Sequence, residues 1–204
     1  MTSKRLKQIG DLVNDGAVVY DVGADHGELE RYISPRVKKV IAIENKVGPY
    51  NILLNATKEY ENVYPFLADG LAKLTSEVDT LIIAGMGGLL INSILEKNVD
   101  GLTSVNNIIV DAHKDIEEVR RYVSSFGYKI DKEILLKEKS HYYIVIKFIK
   151  GVSDYNELEY EFGRLLKDDL YKEYLADELD RLNDIYSKSN DEKIRSKIER
   201  MKSL

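Results

Sequence analysis

The stretch that decides the fold is Val18-Val19-Tyr20-Asp21-Val22-Gly23-Ala24-Asp25-His26-Gly27. A short β-type run ends in an acid, turns through glycines and continues into a helical pattern. Such a turn brings bare backbone to the carboxyl edge of a parallel sheet, where a nucleotide-like ligand can lie against it. The stretch therefore predicts a strand, a glycine-rich loop and a helix of an α/β fold, with a ligand site at the loop.

Asp21 indicates the charge of that ligand. A pyrophosphate-binding loop presents amide donors and a helix N-terminus, and it avoids negative charge inside the turn. Asp21 is predicted to lie inside the turn, and an acid there favours a cationic ligand. S-adenosylmethionine carries an ammonium and a sulfonium group, so we expect Asp21 to hold its amino-acid end. The alternative is a tight turn whose acid caps the following helix.

A second acid supports the same ligand. The run Lys39-Val40-Ile41-Ala42-Ile43-Glu44 is a predicted strand that ends in a carboxylate roughly one βαβ unit downstream. An acid at this place can accept hydrogen bonds from both ribose hydroxyls. Its alternative is an ordinary acid near a helix N-terminus. Together, Asp21 and Glu44 predict an adenosine-containing cofactor between neighbouring strands.

Composition limits the class of protein. The chain has 204 residues, a net charge of −5, no cysteine and three histidines. This length accommodates one α/β domain of about 150 residues plus an appendage. The lack of cysteine excludes disulfides, thiol catalysis and cysteine-ligated zinc, and the scattered histidines favour no metal site. No long apolar run or signal-peptide pattern is present, so we expect a cytoplasmic protein without a membrane partner.

Strand and helix patterns alternate along the first three quarters of the chain. Strands are predicted near 17–22, 39–44, 62–67, 79–84 and 106–111, which indicates a parallel sheet with right-handed crossovers. After a helix near 116–126, two β-type runs at 128–136 and 141–149 are close enough to form a hairpin. An antiparallel hairpin that closes a parallel sheet is typical of class I methyltransferases. Residues 1–152 are therefore predicted to be a Rossmann-like methyltransferase domain.

The pattern changes from about Ser153. Apolar residues then recur at three- and four-residue spacing, on both sides of a predicted turn at 187–190. They are Tyr174, Leu175, Leu179, Leu182, Tyr186, Ile194, Ile198 and Met201. This spacing predicts a helical hairpin of coiled-coil type over 153–204. Its last segment sets six bases (Lys188, Lys193, Arg195, Lys197, Arg200, Lys202) against Asp191, Glu192 and Glu199. The bland interpretation is a solvated face, and the alternative is contact with phosphate.

Several short motifs resemble the TrmK family. They are Ser3-Lys4-Arg5-Leu6, Asp21-Val22-Gly23-Ala24-Asp25-His26, Gly48-Pro49-Tyr50, Ala68-Asp69-Gly70-Leu71, Val78-Asp79-Thr80 and Ile83-Ala84-Gly85-Met86-Gly87-Gly88. The Ala-Gly-Met-Gly-Gly run is the most specific, because class I methyltransferases acting on exocyclic amino nitrogens often carry a Pro-Pro motif there. The resemblance covers the Rossmann-like part, and the charged helical tail is similar too. It implies an S-adenosylmethionine-dependent enzyme that methylates N1 of adenine 22 of bacterial tRNA.

The resemblance also implies which residues bind the cofactor. They are Asp21, Gly23, Asp25, Glu44, Asp69, Gly70, Gly85 and Met86. Asp69 is expected to accept from the amino group of the cofactor's adenine, with Gly70 permitting close approach. Met86 offers a soft apolar contact.

The candidate substrate-binding residues are Arg5, His26, Gly87, Gly88 and His113. Gly87 and Gly88 would let the backbone reach the methyl donor and the unstacked base, and a flexible strand-to-helix turn is their alternative. His26 would orient Asp25 or contact phosphate. Arg5 would bind an RNA phosphate or the cofactor carboxylate, and its alternative is a solvated N-terminal helix.

One loop departs from the family pattern. The family usually has Gln-Pro-Asn at the end of the fifth strand, where this chain has Asp111, Ala112 and His113. In class I methyltransferases this loop borders the target-base pocket. Replacing neutral amides by an acid and an imidazole therefore bears on substrate choice and activity.

The implied chemistry needs little acid–base help. Adenine N1 already has an in-plane lone pair, so alignment of an unstacked base in a desolvated site is the main requirement. Methylation leaves a positive charge on the ring, which a nearby carboxylate would stabilise. Asp25 is the first candidate for this catalytic role and Asp111 the second. The alternative for Asp25 is a cap for the helix that begins near Gly27.

Two other classes of function fit the same residues. One is a small-molecule methyltransferase in which the helical hairpin serves oligomerisation. The other is a non-catalytic RNA-binding module that retains a vestigial cofactor pocket. The negative net charge argues mildly against an RNA partner, and the sequence leaves the oligomeric state open.

Overall fold

The computed structural model describes residues 2–164 and 168–204. The strands in chain order are β1 (Val18–Val22), β2 (Lys39–Glu44), β3 (Val63–Leu67), β4 (Thr80–Met86), β5 (Asn107–Ala112), β6 (Tyr128–Glu138) and β7 (His141–Lys150). The α-helices are α1 (Lys4–Asp11), α2 (Glu28–Ile33), α3 (Val47–Thr57), α4 (Gly88–Glu96), α5 (Ile116–Ser125), α6 (Glu157–Phe162), α7 (Asp169–Ser189) and α8 (Glu192–Lys202). Short 3₁₀ helices occupy Ser34–Arg36 and Val99–Ser104.

The strands form one sheet with the order β3-β2-β1-β4-β5-β7-β6. Strands β1 to β5 run parallel, and β7 is antiparallel to both of its neighbours. The predicted Rossmann-like sheet with a closing antiparallel hairpin is therefore confirmed. The order of the strands along the sheet reverses between β1 and β4, and the carboxyl ends of these two parallel strands form the crevice where such sheets bind ligands.

Apolar residues on both faces hold the sheet between helices. Strands β1 and β5 are buried along their whole length, as their near-continuous apolar sequences require. One face packs against α4 and α5, around Tyr20, Leu81 and Ile108. The other packs against α1, α2 and α3, around Val19 and Ile82. The core fixes the strand ends from both sides.

One edge of the sheet is formed by β3, which pairs with β2 alone and contains Pro65 at its centre. Tyr64, Phe66 and Leu67 of this strand are exposed.

None of the helices in the described residues is both long and apolar enough to cross a membrane.

The C-terminal tail contains the predicted pair of helices, and their coiled-coil character remains a prediction. Helices α7 and α8 pack together through a small apolar cluster that contains Leu182, Ile198 and Met201. The position of the turn was wrong: α7 continues through Ser189 and ends at Asn190, which adopts the left-handed conformation with φ 51°. The Ser187 hydroxyl donates to the Asp184 carbonyl of the same helix, so serine here does not break it.

A further helix, α6, precedes this hairpin and was not predicted. Its six residues are too few to show a periodic pattern, and an Asn156–Glu159 capping box starts it. Phe162 of α6 joins the apolar cluster of α7 and α8, whereas Tyr171 and Tyr174 of α7 pack against the main core. The boundary at residues 152 and 153 remains a prediction.

Candidate cofactor and substrate site

The carboxyl ends of β1, β2 and β4 surround a cavity of about 480 Å³. Of the predicted cofactor residues, it is lined by Gly23, Glu44, Asp69, Gly70 and Met86. Apolar walls come from Ile43, Leu90 and Ile94. The cavity therefore combines carboxylates on one side with a surface that an adenine ring can pack against.

Gly23 follows β1 directly and has a φ of +84°, a conformation that favours glycine. A Cβ atom at this position would lie 2.7 Å from the Met86 Cε atom. Because Met86 Cε is the free end of a flexible side chain, the positive φ is the stronger reason for glycine at this position. This observation explains the first glycine of the sequence motif.

Glu44 lies at the end of β2 and is buried. Its Oε1 atom accepts the backbone N–H of Lys46 at 2.8 Å, and Oε2 accepts the N–H of Asp25 at 3.3 Å. Each carboxylate oxygen has a second lone pair, so both can still accept from ribose hydroxyls. Glu44 thus also ties the first loop to the end of the second strand.

A smaller cavity of about 190 Å³ lies on the other side of Gly23, which lines both cavities. Its lining includes Arg5 from α1, Asp21 from β1, and Asp25 and His26 from the first loop. An acid and a base therefore face one small cavity beside the larger one. Such a pair suits a ligand group that carries both charges.

The structure corrects the predicted location of Asp21. This residue lies within β1 rather than in the turn, and its carboxyl is buried beside that of Glu30 on α2. Burial raises the pKa of Asp21 to about 6, and the hydrogen bond with Glu30 offsets part of the rise. Gly27 occupies the N-cap of α2 without a side-chain cap, so neither Asp21 nor Asp25 caps this helix.

Asp25 and His26 project from the first loop into solvent at the cavity rim. The Asp25 carboxylate is 65% exposed and lies 3.5 Å from the His26 Nδ1 atom. His26 is therefore placed to orient Asp25, as one interpretation of the sequence held. Water screens the charge of an exposed carboxylate, so Asp25 would stabilise a positive charge on the base less than a buried acid would.

Arg5 is not on a solvated helix face. Its guanidinium reaches across the sheet, where Nη1 lies 2.5 Å from the Oδ2 atom of the fully buried Asp111. Ser3 starts α1 by accepting the N–H of Leu6, which sets the direction from which Arg5 enters. Asp111 Oδ1 is buried and has no hydrogen-bond donor within the described residues. The acid that departs from the family pattern therefore neutralises a base at the edge of the candidate site.

His113 lies two residues beyond Asp111, with its Nε2 atom 4.0 Å from Asp111 Oδ2. Its ring meets Tyr143 of β7 edge to face, with 6.0 Å between the ring centroids. The Arg5 guanidinium lies 5.4 Å from the centroid of the same tyrosine ring. The changed loop thus forms a compact aromatic and charged cluster with β7.

The Gly85-Met86-Gly87-Gly88 run divides between two roles. Gly85 and Met86 end β4, at an irregularity in the register with β5, and Met86 lines the larger cavity. Gly87 is the N-cap of α4. At Gly88 a Cβ would lie 2.3 Å from the Asp115 carbonyl oxygen, so this glycine permits close packing of α4 on the start of α5. Packing of these two helices is enough to explain a glycine at position 88, and the predicted contact of Gly88 with substrate stays a prediction.

Two residues of this region were missed by sequence reasoning. Glu30 shares the buried face of α2 with Ile33, and an acid three residues before an apolar position was the available signal. Tyr143 sits in a strand of apolar and aromatic residues whose pattern does not separate it from its neighbours. Only the fold brings it to His113.

A third cleft, of about 620 Å³, runs from the His113 loop to the tail. The β6–β7 turn contributes His141, and the tail contributes Arg181, Lys197 and Glu178. Both signs of charge are present along its walls. The cleft leads from the candidate site to the C-terminal helices.

Known proteins share this architecture. A family model described as a methyltransferase domain matches residues 2–146. The tRNA (adenine(22)-N(1))-methyltransferase of Bacillus subtilis is 31% identical over 182 residues, which cover 84% of this chain and 75% of that protein.

Solved structures agree over the full length. A Streptococcus pneumoniae protein in complex with S-adenosyl-L-methionine matches with a TM-score of 0.90 and 28% identity, covering 100% of this chain and 99% of the other. M. capricolum TrmK in complex with S-adenosyl-homocysteine matches with a TM-score of 0.89 and 28% identity, covering 100% and 97%. The sheet order, the positive φ of Gly23 in the first loop and these matches agree. The chain therefore belongs to the TrmK family of class I methyltransferases.

Proposed function

We propose that this protein uses S-adenosylmethionine to methylate N1 of adenine 22 in tRNA. The observation that carries the proposal is the pair of cavities that meet at Gly23, one lined by Glu44 and Asp69 and the other by Asp21 and Arg5. The relatives support the substrate, because the Bacillus subtilis protein is named for methylation of that nucleotide. As a tRNA-modifying enzyme, it would work in the cytoplasm.

The polar groups that line the two cavities fit the cofactor. Glu44 offers acceptors for ribose hydroxyls, and Asp69 offers an acceptor for the amino group of adenine. Asp21 provides negative charge for the ammonium group, and Arg5 keeps N–H donors for the carboxylate, since only Nη1 pairs with Asp111. When bound, S-adenosylmethionine supplies an electrophilic methyl group on its sulfonium.

The residues around the target base act by positioning. The half-buried Tyr143 and the exposed His113 offer ring surfaces on which an unstacked base can rest. Asp111 holds Arg5, and its Oδ1 atom is buried without a hydrogen-bond donor from the described residues. No protein base has to create the nucleophile, because adenine N1 already carries its lone pair.

The tail offers a surface for the rest of the tRNA. The cleft beside His113 continues along His141 to Arg181 and Lys197. Residues 153–204 would then contact the RNA, and residues 1–152 would form the methyltransferase domain. Phosphate contacts from such a surface would make tRNA affinity depend on salt.

The cofactor site is tested by titration calorimetry with S-adenosylmethionine. Asp21→Asn and Glu44→Gln keep the shape of each side chain and remove its charge, so each variant should bind more weakly while circular dichroism shows an intact fold. Glu77→Gln is the matched control, because that acid pairs with Lys39 at the amino end of β2. Wild-type affinity in both site variants would refute the assignment.

The substrate is tested by methyl transfer to tRNA, followed by nucleoside mapping. Label should appear at N1 of adenine 22, and a transcript with guanine at this position should accept none there. Transfer to small molecules but not to tRNA would support the alternative of a small-molecule methyltransferase. Cofactor binding without transfer to either would support a non-catalytic module.

A further inference from the structure

Glu30 is an unusual residue to bury. Its side chain is fully buried on α2, and neither carboxyl oxygen receives a hydrogen bond from an N–H or O–H group of the described residues. Within residues 2–164 and 168–204 it also forms no ion pair. An ionised carboxylate in that position would lack every form of compensation that buried charges normally require.

The group that meets Glu30 is another acid. Asp21 lies on the same face of β1 as Val19, which packs against α2, so its carboxyl lies beside that of Glu30; Asp21 is itself only 4% exposed. Two carboxylates are both acceptors, so a hydrogen bond between them needs a proton on one of the two. Like charges in a shared buried site disfavour ionisation of the second group.

The surrounding charges do not allow both carboxyls to be ionised. On α2, the charge of Arg31 acts to lower the pKa of Glu30, but its Nε atom donates to the Gly27 carbonyl at 3.1 Å. On the cavity side of Asp21 lie Arg5 of α1, which pairs with Asp111, and Asp25, His26 and Glu28 of the first loop and α2. Arg5 and Asp21 both line the cavity, whereas Glu30 does not, so no cation of the cavity lining offsets the charge of an ionised Glu30.

We propose that Glu30 stays protonated in the folded protein and donates a hydrogen bond to Asp21, which makes it a positioning residue for the cofactor's amino group. This inference rests on the proposed binding of that group by Asp21. The donated bond would hold one Asp21 oxygen and leave the other directed at the small cavity. The pair then carries a single negative charge that matches the single charge of an ammonium group.

The direction of the pKa shifts agrees with this arrangement. Burial, the charge of Asp21 and the hydrogen bond to Asp21 raise the pKa of Glu30 well above its usual value. Burial raises the pKa of Asp21 to about 6, where the bond from Glu30 limits the rise. Near neutral pH the pair therefore holds one proton, and below about pH 6 Asp21 takes up a second and loses its charge.

The first experiment detects the proton on Glu30 without any ligand. A carboxyl that is protonated in the fold ionises on unfolding, so its stabilisation is present below the unfolded pKa and is lost as pH rises toward the folded pKa. Between about pH 6 and about pH 7, the unfolding constant of wild type should rise by about tenfold per pH unit relative to Glu30→Gln. Glutamine mimics the protonated acid and releases no proton. Parallel urea-unfolding profiles for the two proteins would overturn the proposal.

The second experiment measures S-adenosylmethionine affinity against pH by calorimetry. Glu30→Gln keeps an N–H donor for Asp21, so its affinity at neutral pH and its acid midpoint should match wild type. Glu30→Met removes the donor, so the pKa of Asp21 should rise and the midpoint for loss of binding should move to higher pH. A wild-type midpoint in Glu30→Met would overturn the positioning role.

Failure of the proposed function would look different. Absence of cofactor binding by wild type, or unchanged binding by Asp21→Asn, would remove the cofactor assignment. The unfolding comparison would still decide whether Glu30 carries a proton.

Discussion

Asp25 adopts a left-handed backbone conformation with φ 51°, which asparagine and aspartate tolerate better than most residues. Its N–H donates to Glu44, while its side chain points toward solvent beside His26. The conformation is thus set by the first loop rather than by a contact of the carboxylate. This geometry separates the backbone role of Asp25 from any role of its charge.

Asp25→Asn tests the two roles assigned to this residue. Since the carboxylate is exposed and lines the same cavity as Asp21 and Arg5, we expect weaker S-adenosylmethionine binding with a near-normal single-turnover rate at saturating cofactor and tRNA. Rapid-quench measurement of methyl transfer isolates that rate. A loss of about 10²-fold at saturation, as removal of a stabilising group commonly causes, would instead establish the catalytic role.

At the scale of elements, the segment from Lys188 to Lys202 keeps part of its predicted positive charge free of ion pairs. Lys188 pairs with Asp184, Arg195 with Glu192 and Glu199, and Arg200 with Glu161. Within the described residues, the remaining bases of that segment form no ion pair: Lys193, Lys197 and Lys202. Lys197 also lies on the wall of the cleft that leads to His113.

These free lysines are the variants to test for tRNA contact. We expect the combined substitution of Lys193, Lys197 and Lys202 by Gln to weaken tRNA binding and to leave S-adenosylmethionine affinity unchanged. Each lost phosphate contact should lower the slope of log K against log salt by about 0.9 for duplex regions. Filter binding at several salt concentrations measures the slope.

Lys188→Gln is the matched control, because this lysine is already neutralised by Asp184. A triple variant with the wild-type slope would limit the tail to an assembly or stability role. Deletion of the tail is a poorer test, since Tyr171 of α7 is buried against the main core.

Elements with strong local patterns were predictable, and contacts between distant elements were not. Continuous apolar runs indicate the buried strands, so the bounds of β1, β2 and β5 were predicted to within a residue or two. The Arg5–Asp111 pair joins residues 106 positions apart, and only the fold brings them together. The predicted strand 17–22 already contains Asp21, but the local pattern does not reveal that its side chain lies beside Glu30 of α2 rather than in the turn.

At the scale of the whole molecule, Arg120 connects the sheet to the tail. This buried side chain on α5 donates from Nε to Glu133 Oε1 of β6 at 2.7 Å. Its Nη1 atom donates to the carbonyls of Tyr160 and Glu161 near the end of α6, at 3.0 and 3.2 Å. The cation therefore satisfies carbonyls at the last turn of a helix as well as a buried carboxylate.

Arg120→Met should destabilise the protein by about 3–5 kcal/mol, because it leaves Glu133 buried without its cation. Urea unfolding measures the loss, and hydrogen exchange should show faster opening of α6. Arg121→Met is the neighbouring control: that residue is partly exposed, and a surface pair contributes about 0–1 kcal/mol. Equal midpoints for the two variants would contradict the connecting role.

Pro65 has a consequence for how copies of this protein meet at high concentration. The carbonyl of Asn62 and the N–H of Ala68 bond inward to β2, so the backbone groups of residues 63, 65 and 67 point away from the sheet. Proline has no N–H, which removes the central donor from that outward row. A neighbouring chain seeking to extend the sheet past Tyr64 and Phe66 would find an incomplete ladder, so this edge resists aggregation despite its exposed apolar side chains.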